Sequence, residues 1–226
     1  MDSLRLYHGS EKIVASPFLG GGNTRNDYGP GFYCTRDIEM AREWACSDRG
    51  SGAFVNHYVL EPSFRLKTFN LTRECHILNW LAVLLKNRTF SIHAPLPRQA
   101  REYILETFLP DLSPFDIVSG YRADDSYFKF ASAFLNNTIS LEQLRRAMRL
   151  GKLGEQTVIL SERAFEALLF MFAEPVEREV YGPRREARDR LAREEFRKEA
   201  ALVAEDAVYM IDILREKWQN DDARLR

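Results

Sequence analysis

A chain of 226 residues with 45% hydrophobic and 12% aromatic content can bury one substantial core, as one domain or as one domain with an appendage. Its 32 basic and 33 acidic residues leave a net charge of -1, so it lacks the overall positive field that draws proteins onto nucleic acid without sequence preference; any nucleic-acid contact must be local. Three cysteines (Cys34, Cys46 and Cys75) form no C-x-x-C pair and argue against a disulfide framework. No apolar run approaches the roughly 18 residues of a membrane span, so a soluble, untargeted cytoplasmic protein is expected.

Leu4-Arg5-Leu6-Tyr7-His8 alternates before Gly9-Ser10, predicting a short strand with Leu4, Leu6 and His8 on one face. Ile13 to Asp27, with Pro17, Gly20, Gly21, Gly22, Asn23 and Asn26, reads as a flexible loop, and Gly31 to Cys34 as a second short strand. Thr35 is the expected N-cap of a helix with Asp37 and Glu39 in its first turn and Trp44 on the inward stripe with Ile38, Ala41 and Ala45. Phe54 to Leu60 and Phe64 to Phe69 are expected as two strands joined by a turn at Glu61-Pro62-Ser63. Thr72 should open a helix running through Leu85, in a region that Pro95 and Pro97 end.

Phe115 to Ser119 is the next expected strand, and Asp124-Asp125 starts a helix to about Leu135. Ser140-Leu141-Glu142-Gln143 is a capping box for a helix stopping near Gly151, and Gln156 to Leu160 reads as a buried strand. Ser161 should then cap a helix carrying Ala164, Phe165, Leu168, Leu169 and Phe172. Beyond Pro175 the mixed charges of Arg184 to Glu199, and the helical spacing of Val203, Ala207, Met210, Ile211, Leu214 and Trp218, predict a helical tail, solvated or partner-binding. The expected organisation is a mixed α and β domain over 1–175 with a charged helical extension over 176–226.

Single motifs carry little weight. A histidine beside an apolar strand is often a core residue, Gly29-Pro30-Gly31 can be a plain turn, and Gly20-Gly21-Gly22 lacks the helix and Lys-[Ser/Thr] of a phosphate loop. His57, His76, His93 and the cysteines lack metal-ligand spacing, so no metal is expected. In combination, however, His8-Gly9, then Asp27-Tyr28-Gly29-Pro30-Gly31-Phe32-Tyr33-Cys34-Thr35, then Ala41-Arg42-Glu43-Trp44-Ala45 resembles the nicotinamide pocket of ADP-ribosyltransferases of the diphtheria-toxin and poly(ADP-ribose) polymerase branch, which carry a His-Tyr-Glu triad. Tyr33 and Trp44 keep that family's spacing of eleven residues (44 − 33) between the two aromatics. The sequence is also similar to a family of small, largely uncharacterised bacterial proteins with this core, through Tyr7 to Ser10, the Asp116 to Asp125 segment and the late strand.

The resemblance implies a split two-sheet ADP-ribosyltransferase-like core and NAD as substrate. It assigns catalytic roles to His8, Tyr33 and Gln156, and NAD contacts to His8, Gly9, Ser10, Tyr33 and Trp44, with Asp27 and Tyr28 shaping the entrance; Arg25, on the flexible loop, is the candidate for the pyrophosphate, its alternative being a solvated surface arginine. Position 156 departs from the family glutamate. Glutamine can still hydrogen-bond a ribose hydroxyl, but it has no charge to offset a developing oxocarbenium and cannot act as a base, which favours transfer of a single unit over chain formation. Glu155 competes for the role, and only one of two adjacent strand residues can face the pocket. The activities implied are mono-ADP-ribosylation of a macromolecular acceptor, NAD hydrolysis, or an RNA 2'-phosphotransferase-like reaction; the missing glutamate also leaves open a catalytically inactive NAD-binding or protein-interaction module. A neutralising antitoxin partner is implied by analogy with toxin families that share the core.

Overall fold

The alternating run at the start of the chain forms strand β1 (Leu4–Ser10), and its antiparallel partner is β3 (Phe54–Leu60), with Leu6 opposite Tyr58. This computed structural model describes residues 4–46, 52–123, 125–150, 154–202 and 206–225. On the other side of β3 lies β7 (Leu168–Pro175), also antiparallel, completing a three-stranded sheet in the order β1-β3-β7. A second sheet has the order β2-β6-β5-β4, built from β2 (Phe32–Cys34), β6 (Glu155–Ile159), β5 (Ile117–Tyr121) and β4 (Thr68–Asn70). Its strands are antiparallel except for the parallel pair β4 and β5.

Strand alternation gives the second sheet two buried faces. Ile117 and Ile159 join Leu6, Cys34, Tyr58 and Leu60 in a core between the sheets, while Val118 and Val158 turn to the opposite side. There they meet helices α3 (Ile77–Asn87), α4 (Pro95–Phe108), α5 (Asp125–Leu135) and α6 (Leu141–Ala147), whose Trp80, Leu81, Phe108, Phe130, Phe134 and Leu144 form the main core. Met210 and Ile213 of α9 (Met210–Glu216), together with Trp218, belong to this same core. Full burial of each such side chain stabilises the fold by about 1.5–3 kcal/mol relative to exposure. The architecture is therefore mixed α and β with two sheets.

Several expectations are corrected, each for a local reason. The cap of α1 (Ile38–Ala45) is Asp37, whose carboxylate accepts the amides of Glu39 at 2.9 Å and Met40 at 3.2 Å; Thr35 instead bridges to Tyr7. Phe64 to Phe69 is not a strand paired with β3. A 3-10 turn at Pro62–Phe64 and a left-handed Arg65 redirect the chain, and the Lys67 amide, donating to Asp116 Oδ2 at 2.7 Å, steers Thr68–Asn70 beside β5 in the other sheet. The long helix expected from Thr72 is two: Asn70 caps α2 (Leu71–Glu74), and Cys75 and His76 are extended before α3 begins. Pro95 starts a helix, since a proline in the first turn removes no intrahelical bond.

The capping box at Ser140 and Gln143 forms as expected, although α6 ends at Ala147 and Gly151 lies outside the described residues, as does Asp124. The helix after Ser161 is only α7 (Glu162–Glu166). Leu168 to Pro175 is strand, with Leu168 buried and Leu169 and Met171 exposed, because β3 offers an unpaired edge for it to complete. In the tail, helix runs as α8 (Arg178–Ala200) and α9 and not continuously to Trp218, and Val203 lies outside the described residues. Nor is α8 only a solvated arm: Arg188 donates two hydrogen bonds to the buried Glu43 of α1, and Arg185 Nη1 reaches the Cys46 carbonyl at 2.7 Å. Among the described residues no helix is long and apolar enough to cross a membrane.

Candidate functional site

The two sheets are bridged where Tyr7 and Thr35 exchange backbone hydrogen bonds of 2.8 and 2.9 Å, and beyond that point β1 and β2 belong to different sheets. Just past this bridge His8 Nδ1 donates to the Tyr33 carbonyl at 2.7 Å. A carbonyl only accepts, so Nδ1 carries the proton and Nε2 of the neutral ring is an acceptor. Burial pushes the His8 pKa below its ordinary value, more than the Tyr33 bond restores, so the ring is neutral at pH 7; Phe32 packs against it at 4.4 Å between centroids.

A cleft of about 360 Å³ opens at this split. His8, Gly9, Tyr33, Trp44 and Gln156 line it together with Asn26, Asp27, Arg88, Arg122, Ala123 and Arg185. Tyr33 contributes a ring whose hydroxyl is engaged, accepting the Tyr28 amide at 3.0 Å and donating to the Gly29 carbonyl at 2.7 Å. Burial raises the Tyr33 pKa far above its ordinary value, which removes the phenol from acid-base work near neutrality. Gly29 adopts φ +81°, a conformation that a side chain there would strain, and so returns its carbonyl to Tyr33.

Trp44 faces the cleft from α1, with the Arg122 guanidinium 4.3 Å from its ring centre. Its indole Nε1 is buried and has no hydrogen-bond partner among the described residues. An unsatisfied buried donor costs about 1–3 kcal/mol. Trp44→Phe, which keeps an aromatic face and deletes that donor, is accordingly expected to leave the melting temperature unchanged or to raise it, as differential scanning fluorimetry would show.

Gln156 is 3% exposed and turns into the cleft, donating from Nε2 to Asp27 Oδ2 at 2.9 Å and to the Tyr121 carbonyl at 3.2 Å. Its neighbour Glu155 is exposed on the other face, where it accepts from Asn70 and Thr72. Asp27 is 6% exposed and forms part of the cleft wall, not an entrance. Burial raises its pKa, opposed by the Ala123 amide at 2.9 Å, by Gln156 and by the charges of Arg88 and Arg122. Tyr28 is a core residue, its hydroxyl donating to the Tyr121 carbonyl at 2.9 Å. The Cys34 thiol, buried behind β2, is pushed well above its ordinary pKa and is no nucleophile.

Ser10 lies in an adjoining cavity of about 530 Å³, walled by Ile13 to Phe18 and sharing His8, Asn26 and Tyr33 with the cleft. The loop forming that wall is anchored at Val14, whose amide donates to Asn56 Oδ1 at 2.8 Å, while Phe18 at its far end is 68% exposed. Arg25 lines neither cavity; its carbonyl accepts from Arg88. Arg88, Arg122 and Arg185 are the site residues that sequence reasoning missed. Arg122 sits within the Asp116 to Asp125 segment quoted above, but Arg88 and Arg185 reach the cleft from α3's C-terminus and from α8, with no local signal.

Comparison with known proteins adds one positive finding. A family model described as "Protein of unknown function (DUF3990)" matches residues 4–170, well over half of the chain, so the match takes in β1, β2, α1 and β6, which carry the cleft. No curated protein and no solved structure matches the chain. The chain belongs to the DUF3990 family of proteins of unknown function.

Proposed function

We propose that the cleft binds NAD and that the protein transfers a single ADP-ribose unit to a macromolecular acceptor, on a core of the ADP-ribosyltransferase type. The observation carrying this reading is the convergence of His8, Tyr33, Trp44 and Gln156, drawn from four separate elements, on one cleft where the two sheets part. In the reaction the C1'–N bond to nicotinamide breaks, nicotinamide leaves with the bonding pair, and the acceptor's oxygen or nitrogen forms the new bond to C1' and loses a proton. Tyr33 and Trp44 offer aromatic faces to the nicotinamide ring, and the neutral His8 offers Nε2 to a ribose hydroxyl. Gln156 orients the second ribose. Arg88, Arg122 and Arg185 suit the pyrophosphate.

Those three arginines also favour a second reading, an NAD-dependent reaction on a phosphate-bearing acceptor such as an RNA 2'-phosphate. The test is to incubate the protein with NAD labelled in the adenylate half and a cell lysate, following nicotinamide and the label in protein and nucleic-acid fractions. Nicotinamide release with label on a macromolecule is the expected result; release without it means hydrolysis. Tyr33→Ala should slow release roughly tenfold or more, since one lost stacking face is worth about 1 kcal/mol beyond its buried area. If NAD is neither bound nor consumed, the reading fails.

A further inference from the structure

Position 156 carries an amide where the resembled family carries a carboxylate, and the neighbours of that amide account for the exchange. Both Nε2 protons of Gln156 have acceptors, Asp27 Oδ2 at 2.9 Å and the Tyr121 carbonyl at 3.2 Å. The remaining polar atom of this cleft-lining side chain is Oε1, which has no partner among the described residues. Asp27 Oδ2 also accepts the Ala123 amide at 2.9 Å, and Arg88 Nε lies 3.8 Å from Oδ1, so the carboxylate is itself held from two sides.

We propose that Asp27 is a positioning residue: it anchors the Gln156 amide nitrogen and so presents Oε1 to the cleft as a pure acceptor for a ribose hydroxyl. This rests on the NAD reading above. A glutamate at position 156 would set a second carboxylate beside Asp27 and against the lone pairs of the Tyr121 carbonyl, and two carboxylates that close cannot both ionise. The groups facing Asp27 are Arg88, Arg122, Gln156 and the phenols of Tyr28 and Tyr33, with His8 and Arg185 elsewhere in the cleft wall. Of these, Arg88 and Arg122 supply the positive charge that favours the ionised Asp27, with Arg88 Nε 3.8 Å from its Oδ1.

The pair Asp27→Ala and Asp27→Asn tests the assignment. Asparagine keeps an oxygen for both the Ala123 amide and Gln156, whereas alanine leaves the Gln156 amide held only by the longer bond to the Tyr121 carbonyl. Asp27→Ala should lower kcat for nicotinamide release about tenfold or more with KM for NAD within about threefold, and Asp27→Asn should stay within about threefold of the parent. Should Asp27→Ala not fold, Gln156→Glu decides. In that variant one of the two adjacent carboxyls, Asp27 or the introduced one, has a folded pKa above its unfolded value. Stability relative to the parent is then highest at low pH and falls as pH rises through that folded pKa. Adding Asp27→Asn should remove the slope.

Parent-like kcat in Asp27→Ala, or a parent-like pH profile of melting in Gln156→Glu, overturns the proposal. If the parent protein does not touch NAD, the functional reading falls by itself, and the Gln156→Glu melting profile alone judges the Asp27–Gln156 coupling.

Discussion

Arg188→Ala is expected to destabilise the fold by about 3–5 kcal/mol, a large part of the roughly 5–15 kcal/mol that holds a typical domain together. Glu43 on α1 is 4% exposed, and the Arg188 guanidinium on α8 satisfies both of its oxygens, Nε at 2.7 Å and Nη2 at 2.6 Å. Truncating the arginine leaves a buried carboxylate without its counter-charge, and desolvation makes that far costlier than losing a surface pair. For a chain of this size the loss corresponds to a fall in melting temperature of roughly 6–20 °C. The control is Glu43→Leu with Arg188→Leu, which removes both charges and should be much milder; if the single and double variants melt alike, the pair is not what fastens α8 to α1. Because Trp44 neighbours Glu43 and Arg185 shares α8, loosening this contact should also weaken any ligand that the cleft holds.

Gly9→Ala is expected to destabilise by at least about 3 kcal/mol, at the upper end of overpacking effects. A Cβ at position 9 would lie 2.0 Å from the Ala41 carbonyl oxygen and 2.7 Å from the Ala45 nitrogen, both backbone atoms that no rotamer change can move aside. The strand and α1 meet here face to face, and the absent side chain is what lets them do so. Urea denaturation followed by tryptophan fluorescence would measure the change, and a midpoint within about 0.2 M of the parent would contradict it, given slopes of about 1–3 kcal/mol/M or more. Gly9 therefore has a packing duty independent of any contact with NAD.

The two effects bear on how the cleft was legible. His8, Gly9, Tyr33 and Trp44 sit on short local patterns, an alternating strand, a glycine turn feeding a second strand, and an amphipathic helix, and each of these forms in the fold, the helix with Asp37 as its cap in place of Thr35. Strand parity allows only one of Glu155 and Gln156 to face the cleft; the family resemblance selects Gln156, and in the fold Gln156 is buried while Glu155 is exposed. Where local reading failed, a distant partner intervened. Thr68 to Asn70 left the expected hairpin for β5, and Leu168 to Pro175, rich in residues that also suit a helix, became strand because β3 presented an open edge.

What the sequence by itself determined is the set of elements whose preference is written in consecutive residues: β1, β2, α1, the Ser140 capping box, and the aromatic and histidine positions they carry. Tertiary structure alone decided which long-range partners complete them. It brought Arg88, Arg122 and Arg185 to the cleft, tied Asp27 to Gln156 across 129 positions of chain, and fastened α8 to α1 through Arg188 and Glu43. The reason is physical: periodicity and capping act within a few residues, whereas the burial of a charge or an amide is compensated only by whatever group the whole fold delivers beside it.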